Sequence, residues 1–298
     1  MSSRLQWLDA TRGLAVLIVL VSHTTDYFWR GYADFIQVGN AGVVLFFVCS
    51  GYVIPISLES LSLRGFWVRR FFRLFPLYWL SIALFLSLGM SSATSLRTIA
   101  ANMTMLQSYF GVEHASAIFW SLTVEITFYM LMSALKAARL LSRTFEVFLA
   151  SVVVLVALRM VDLTLANMLV YLPICVLGTL LYRFEQRQYS MRVLVGCLAI
   201  LAIYLCTWPA PTEFILGWLI SISIFLAIYA TRGSFQPSAL VWCGQVSYSI
   251  YLLHSISLRY THGWGFPLVF LVAAVSYAVV EAPAISLGYR IVRRMSRL

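Results

Sequence analysis

The amino-acid sequence predicts an all-α, polytopic membrane helix bundle of about ten transmembrane helices with both termini in the cytoplasm. Of the 298 residues, 61% are hydrophobic and only 11% are charged, whereas a soluble domain carries roughly 25% charged residues. A soluble chain of this length has too little interior to bury so much apolar surface. Apolar runs long enough to cross about 30 Å of hydrocarbon recur along the chain, so its solvent is partly lipid.

Hydropathy over windows of about 19 residues divides the chain into ten apolar segments. No internal repeat, low-complexity tract or long linker separates them. Residues 1–298 are therefore predicted to form a single integral-membrane domain. The predicted helices cover residues 8–29, 38–57, 71–90, 117–135, 145–161, 164–182, 192–208, 213–230, 238–258 and 266–287.

The basic residues are unevenly distributed between the two sides of these helices. With the N-terminus inside, sixteen arginines and lysines fall on the inner side and four in outer loops, while Arg12 lies within the membrane. Because loops rich in Lys and Arg stay in the cytoplasm, both termini are predicted to be cytoplasmic. The polar interval of about 91–116 is then predicted to form a partly ordered outer cap.

Several classes of site are not expected. The net charge is +10, but the chain has no basic polar domain to hold nucleic acid, so no nucleic-acid partner is expected. No pair of cysteines has CxxC spacing, and the histidines do not form a metal set, so no metal is expected. A GxSxG serine and a glycine-rich phosphate loop are also missing.

The first predicted helix contains ionisable residues in the stretch LDATRGLAVLIVLVSH, residues 8–23. Arg12 and His23 are eleven residues apart, so they point within about 20° of each other and are separated by roughly 16 Å along the axis. Asp9 and Asp26 fall within about 60° of Arg12. Charges at this depth favour a water-filled or protein-lined cavity. The alternative is a structural Asp9–Arg12 pair with an interfacial histidine.

The third predicted helix begins within FWVRRFFRLFPLYW, residues 66–79, where Arg69, Arg70 and Arg73 crowd one side. Three guanidinium groups within about one turn repel one another unless an anion or acids lie among them. Phosphate is a natural partner because the guanidinium fork binds it in a bidentate way. An anionic-lipid contact or a topology signal is the alternative.

The fourth predicted helix contains Glu125 within FWSLTVEITFY, residues 119–129. Glu125 and His23 lie roughly 12 and 9 Å below the outer edge, so they can meet if their helices are neighbours. A carboxylate that orients an imidazole is a general-base arrangement. Alternatively, an arginine or a hydroxyl satisfies Glu125. His254, in CGQVSYSIYLLHS, suits an interfacial or a functional role equally.

These stretches, together with GNAGVVLFFVCSGYVI (39–54) and VEAP, occur in an order and spacing that resemble the acyltransferase-3 family of bacterial membrane O-acyltransferases. The resemblance covers nearly the whole chain. It implies transfer of an acyl group, usually acetyl, from cytoplasmic acyl-coenzyme A (acetyl-CoA) to a hydroxyl of an extracytoplasmic glycan. It also implies a multi-pass protein of the bacterial cytoplasmic (inner) membrane.

The resemblance assigns roles to particular residues. The arginine–histidine pair of the family falls on Arg12 and His23, the fourth-helix glutamate on Glu125, and the RxxR motif on Arg70 and Arg73, with Arg69 beside them. The expected catalytic residues are therefore His23, Glu125 and Arg12, and the expected cofactor-binding residues are the three arginines. Supporting residues within the same blocks are Asp9, Ser50, Trp120, Tyr248 and His254.

Two roles for His23 remain open, a general base and a transient carrier of the acyl group. Some family members carry a C-terminal hydrolase-like domain, and this chain ends at Leu298 soon after its last helix. Any acceptor-handling partner is therefore expected to be a separate protein. The main alternative function is a secondary transporter or flippase of an anionic or sugar-linked solute, since it would also place charges at depth. A non-catalytic membrane scaffold is a third.

Overall fold

The predicted all-α fold is confirmed. The computed structural model describes residues 5–28, 36–261 and 265–296, with the side chains of 25–28 and 36–37, including Asp26, outside the described part. The described residues form helices and no strand. The α-helices are α1 Gln6–Phe28, α2 Ile36–Ser60, α3 Leu63–Ser87, α4 Leu96–Met103, α5 Trp120–Ala137, α6 Thr144–Arg159, α7 Leu163–Leu169, α8 Leu172–Glu185, α9 Met191–Cys206, α10 Thr212–Ala230, α11 Ser238–Gln245, α12 Ser247–Tyr260, α13 Phe266–Ser276 and α14 Ala282–Met295.

Six helical segments of the described part are long and apolar enough to cross a membrane. Helix α1 is not among them, because its polar residues, Asp9 and Arg12 included, lower its mean hydropathy. The predicted count of ten and the cytoplasmic location of both termini stay predictions. The six segments are Val38–Ser60, Leu63–Ser87, Ala117–Ala137, Leu163–Glu185, Thr212–Ala230 and Phe266–Met295.

Three of the predicted helices are interrupted rather than continuous. The helix predicted over 164–182 is split into α7 and α8, and Pro173, in the first turn of α8, lacks the N–H that a continuous helix needs. The helix predicted over 238–258 breaks at Val246 into α11 and α12. The last helix contains a π-helical turn, Tyr277–Glu281, which directly precedes α14, and Pro283 lies in the first turn of α14.

The polar interval predicted as an outer cap contains a helix that the hydropathy windows missed. Ser95 caps the start of α4 by accepting a hydrogen bond from the N–H of Thr98 at 3.1 Å. Buried Asn102 then holds the following loop, because its amide donates to the carbonyl of Glu113 and accepts from the N–H of Ala115. His114 lies between these two residues, and its Nδ1 is 3.0 Å from the amide nitrogen of Gln107.

The stability of this loop is expected to fall as the pH is lowered. Partial burial lowers the pKa of His114 below 6.5, and a protonated Nδ1 could not accept from Gln107. The unfolded chain therefore binds this proton at a higher pH than the folded chain does, and stability is lost as the pH falls below about 6.5. Thermal unfolding of the detergent-solubilised protein between pH 7.5 and 5 should show this loss. It should be smaller in His114→Asn, and an identical slope in both proteins would contradict the assignment.

The contacts divide the chain into two compact units. The first comprises residues 1–49 and 198–277, and the second comprises residues 50–197 and 278–298. The prediction of a single domain stays a prediction, and each unit is described separately.

In the first unit, α1 packs closely along α11, and two glycines make this approach possible. A Cβ atom at Gly13 would lie 2.0 Å from the carbonyl oxygen of Leu240, and one at Gly244 would lie 1.8 Å from that of Asp9. Both distances are far below van der Waals contact. The two backbones therefore touch at both positions, as small residues allow in membrane helices.

In the second unit, α3 packs against α14, and Gly51 of α2 lies against the carbonyl of Cys175 in α8. Polar side chains tie down the end of α2. Lys136 donates to the carbonyl oxygens of Leu58 and Leu61. These carbonyls lie at the end of α2, where no further helical N–H is available to them. Beside them, buried Arg183 pairs with Glu59. These contacts fix the end of α2 next to the start of α3.

Candidate functional site

The polar residues of α1 belong to the first unit. Asp9 is buried, whereas Arg12 and His23 are partly exposed. Asp9 and Arg12 both act electrostatically on the Cys49 thiol at the neighbouring part of α2, so an acid and a base share this region. The close approach of α11 to α1 fixes the backbone around both residues. Asp9 of the first helix is thus buried beside α11, and the predicted cavity along the polar face of this helix stays a prediction.

His23 lies beside the second histidine of this unit. The centres of the His23 and His254 rings are 4.9 Å apart, with the ring planes tilted by 36°. His254 is only 1% exposed, and its Nδ1 lies 2.8 Å from the carbonyl oxygen of Tyr251, one turn earlier in α12. The pairing of His23 with Glu125 stays a prediction, because those residues belong to different units.

In the second unit, Glu125 receives hydrogen bonds from two hydroxyl groups. Tyr129, one turn later in α5, donates to its Oε1, and Ser50 of α2 donates to the same oxygen at 3.4 Å. The two hydroxyl groups fix the orientation of this carboxyl group. Ser50, predicted only as a supporting residue, thus contacts the principal acid of this unit.

The three arginines of α3 have different surroundings. Arg73 forms an ion pair with Glu281 of the π-helical turn at 3.2 Å, and the Glu281 side chain is fully buried. Arg70 donates to Ser57 at 2.9 Å and lies over the ring of Tyr129 at 5.3 Å. Arg69 lies over the ring of Tyr289 at 4.3 Å. Aromatic faces hold these two cations in place but do not cancel their charge.

Within the described part of the chain, Arg69 and Arg70 form no ion pair. The Nε atom of each is buried without a hydrogen-bond acceptor there. A buried N–H that lacks an acceptor costs about 1–3 kcal/mol, so these donors suit an anionic ligand. Two uncompensated guanidinium groups therefore lie next to one compensated group.

Tyr129 links Glu125 to the arginines. Its hydroxyl donates to Glu125, and its ring lies against the guanidinium of Arg70. The sequence reasoning missed this residue, although the spacing of four from Glu125 places both on one helix face. It also missed Ser57 and Tyr289, which reach the arginines from α2 and α14 and have no local signal.

Two supporting residues lie outside these clusters. Trp120, at the start of α5, packs on Tyr171 with ring centres 5.1 Å apart. Tyr248 is buried at the start of α12 in the first unit. Neither residue is shown to have a role in the site, and both remain supporting predictions.

Comparison with known proteins gives one match to a family and two to curated relatives. The sequence profile of the family described as "Acyltransferase domain" matches residues 5–286. Over 82 residues, the chain is 38% identical to "Peptidoglycan O-acetyltransferase OatA" of Listeria monocytogenes, covering 25% of this chain and 12% of that protein. Over 152 residues, it is 26% identical to "Nodulation protein 10" of Rhizobium leguminosarum bv. viciae, covering 41% of each.

The chain thus spans less than half the length of these two relatives, and no solved structure matches it. The family match, in contrast, extends from the first described residue into α14 and includes the polar stripe, the arginines and Glu125. Since it covers nearly all of the sequence and the described part is helical with membrane-spanning segments, the chain is a membrane protein of the acyltransferase-3 family.

Proposed function

We propose that this protein is a membrane O-acyltransferase that moves an acyl group, most simply acetyl, from acyl-CoA to a hydroxyl of a glycan outside the cytoplasm. The observation that carries the proposal is the pair of uncompensated guanidinium groups, Arg69 and Arg70, within a chain of this family. The name of one relative, a peptidoglycan O-acetyltransferase, supports a glycan acceptor. In this proposal the protein lies in the bacterial cytoplasmic membrane.

Coenzyme A has phosphate groups at one end and the acyl thioester at the end of a long pantetheine arm. Arg69 and Arg70 would bind the phosphates, since guanidinium groups bind phosphate in a bidentate way. The arm would then extend along the polar face that carries Arg12 and place the thioester near His23. Arg12 lies roughly 16 Å from His23 along the axis of α1, so it would contact the arm and not the reacting carbonyl.

At the thioester, His23 would act as a general base. Its unprotonated nitrogen would take the proton of the acceptor hydroxyl while the hydroxyl oxygen attacks the carbonyl carbon. Collapse of the tetrahedral intermediate would break the carbon–sulfur bond, and the imidazolium would return its proton to the departing sulfur. Glu125, which accepts hydrogen bonds from Tyr129 and Ser50, would stabilise the imidazolium as the predicted partner of His23. A relay through an acylated His23 would use the same atoms in two steps.

Removal of Arg70 should weaken donor binding. Loss of a charge-assisted contact costs about 1.5–3 kcal/mol, so Arg70→Ala should raise the Kd for coenzyme A by about 10- to 100-fold. Arg73→Ala should be combined with Glu281→Gln, because the single change would remove the ion-pair partner of a buried carboxylate. The measurement is isothermal titration of purified protein with coenzyme A.

Arg64→Ala is the matched control, because Arg64 is an exposed arginine of the same helix. The control protein should bind coenzyme A as the parent does. If Arg70→Ala binds as tightly as Arg64→Ala, the phosphate-binding role of the cluster is wrong, although an acyltransfer reaction with another donor site would remain.

A further inference from the structure

His254 has a hydrogen-bonding arrangement that the proposed reaction does not yet use. It is a histidine buried within the first unit, beside the proposed base His23. Its Nδ1 is 2.8 Å from the carbonyl oxygen of Tyr251 and 3.2 Å from that of Ile250. Carbonyl oxygens only accept hydrogen bonds, so Nδ1 must carry the proton. The backbone of α12 therefore selects the Nδ1–H tautomer of this ring.

The selected tautomer leaves the other nitrogen as an acceptor. Nε2 of neutral His254 has a lone pair, is buried, and has no hydrogen-bond partner among the described residues. An unsatisfied buried acceptor costs free energy. Helix α13, which packs against α12, offers no ionisable side chain over Phe266–Ser276. Helix α1 also packs against α12 and brings the imidazole of His23 next to His254, with the ring centres 4.9 Å apart.

We propose that His254 is a positioning residue for His23, whose ring N–H donates to the bare Nε2 of His254. In the proposed arrangement the partly exposed His23 ring is turned so that its N–H faces this acceptor, which the separation of 4.9 Å between the ring centres allows. The second nitrogen of His23 is then unprotonated and available to the acceptor hydroxyl. This inference rests on the proposed function, in which His23 is the base, and gives His254 the orienting role that a third group has in a catalytic triad.

The arrangement of the two rings determines how many protons the His23–His254 pair carries during the reaction. When His23 takes the hydroxyl proton it becomes a cation, and the His254 ring accepts from that cation while staying neutral. Two imidazolium ions at this separation would repel strongly in a medium of low dielectric constant. The pair thus holds one transferable proton, which returns to the coenzyme A sulfur as the carbon–sulfur bond breaks.

Two substitutions distinguish the roles of the two ring nitrogens of His254. Asn places an amide donor near the Nδ1 position and loses the acceptor, whereas Gln places an amide oxygen near the Nε2 position. We expect His254→Asn to lower kcat by about 10- to 100-fold with little change in KM for acetyl-CoA, a smaller loss than removal of the whole base causes. His254→Gln should recover much of the rate. The assay follows the release of coenzyme A by protein in proteoliposomes. The acceptor is envelope glycan from which the O-acyl groups have been removed with base.

Ser257→Ala is the control, because Ser257 is buried in the same helix and likewise bonds a carbonyl of its own helix. Equal rates in His254→Asn and Ser257→Ala would overturn the inference, and so would a larger loss in the Gln variant than in the Asn variant. If His23→Ala is inactive while both His254 variants are fully active, the proposed function stands and this inference fails. If His23→Ala is fully active, the proposed function fails as well.

A measurement on the unchanged protein tests the tautomer directly. The chain has only four histidines, so ¹⁵N-histidine labelling gives a spectrum simple enough to assign with single variants. The inference predicts that His254 is the Nδ1–H tautomer and that the addition of acetyl-CoA does not protonate it. An Nε2–H tautomer for His254 would overturn the inference even if no His254 variant folds.

Discussion

Replacement of His23 by alanine is expected to lower acyl transfer by about 10²- to 10⁴-fold, the usual contribution of a general base. The reason is that the variant removes the nitrogen that takes the hydroxyl proton and leaves the arginine cluster untouched. The Kd for coenzyme A should therefore stay within about twofold of the parent value. Mass spectrometry of cell-surface glycans would follow the reaction in cells, with the gain or loss of one acyl group as the readout.

His114→Ala is the matched control, since His114 lies in the loop after α4, and its variant should retain transfer. Comparison with Glu125→Gln tests the predicted pairing. If the two residues act as a unit, the double variant should be little worse than His23→Ala alone. Full transfer by His23→Ala would refute both the base and the relay roles.

The second large effect is expected from Gly244→Ala. The added methyl group would lie 1.8 Å from the carbonyl oxygen of Asp9, and because this neighbour is backbone, the whole of α1 or α11 must shift. Overpacking of this kind costs about 1–3 kcal/mol, and sometimes more. It would also displace Asp9 and Arg12, so transfer should fall together with the unfolding temperature.

Gly196→Ala is the control, because Gly196 is a helical glycine with open space at the Cβ position. It should raise stability slightly, by about 0.5–1 kcal/mol, since alanine is the better helix former. Thermal challenge followed by size-exclusion chromatography measures both variants. If Gly244→Ala and Gly196→Ala unfold at the same temperature, the contact between α1 and α11 is looser than described.

Most helix positions could be predicted because an apolar run long enough to cross the lipid raises the mean hydropathy of a window of about 19 residues. The boundaries of α2 and α10 lie within about three residues of prediction for that reason. Helix α4 was missed because it is short and amphipathic, and a window of about 19 residues averages it with polar loops. The break at Val246 was missed because no proline marks it, and Gly244, two residues earlier, packs on another helix.

The candidate site shows the same limit. From the sequence alone, Arg69, Arg70 and Arg73 cannot be told apart. In the structure, Glu281 forms an ion pair with Arg73 alone. This difference depends on a helix more than two hundred residues further along the chain. The Glu125–Tyr129 contact is local, and the spacing of four residues could have predicted it, although Tyr129 was missed. The His23–His254 contact joins two helices far apart in the chain, and hydropathy contains no information about which helices become neighbours.

The position of Lys136 has a practical consequence. It is the only lysine in the sequence, and its ammonium group is engaged by two carbonyls at the end of α2. An amine engaged in this way reacts slowly with acylating labels until the helix end opens. The rate of chemical modification at Lys136 thus reports how often this part of the protein opens, with no engineered probe.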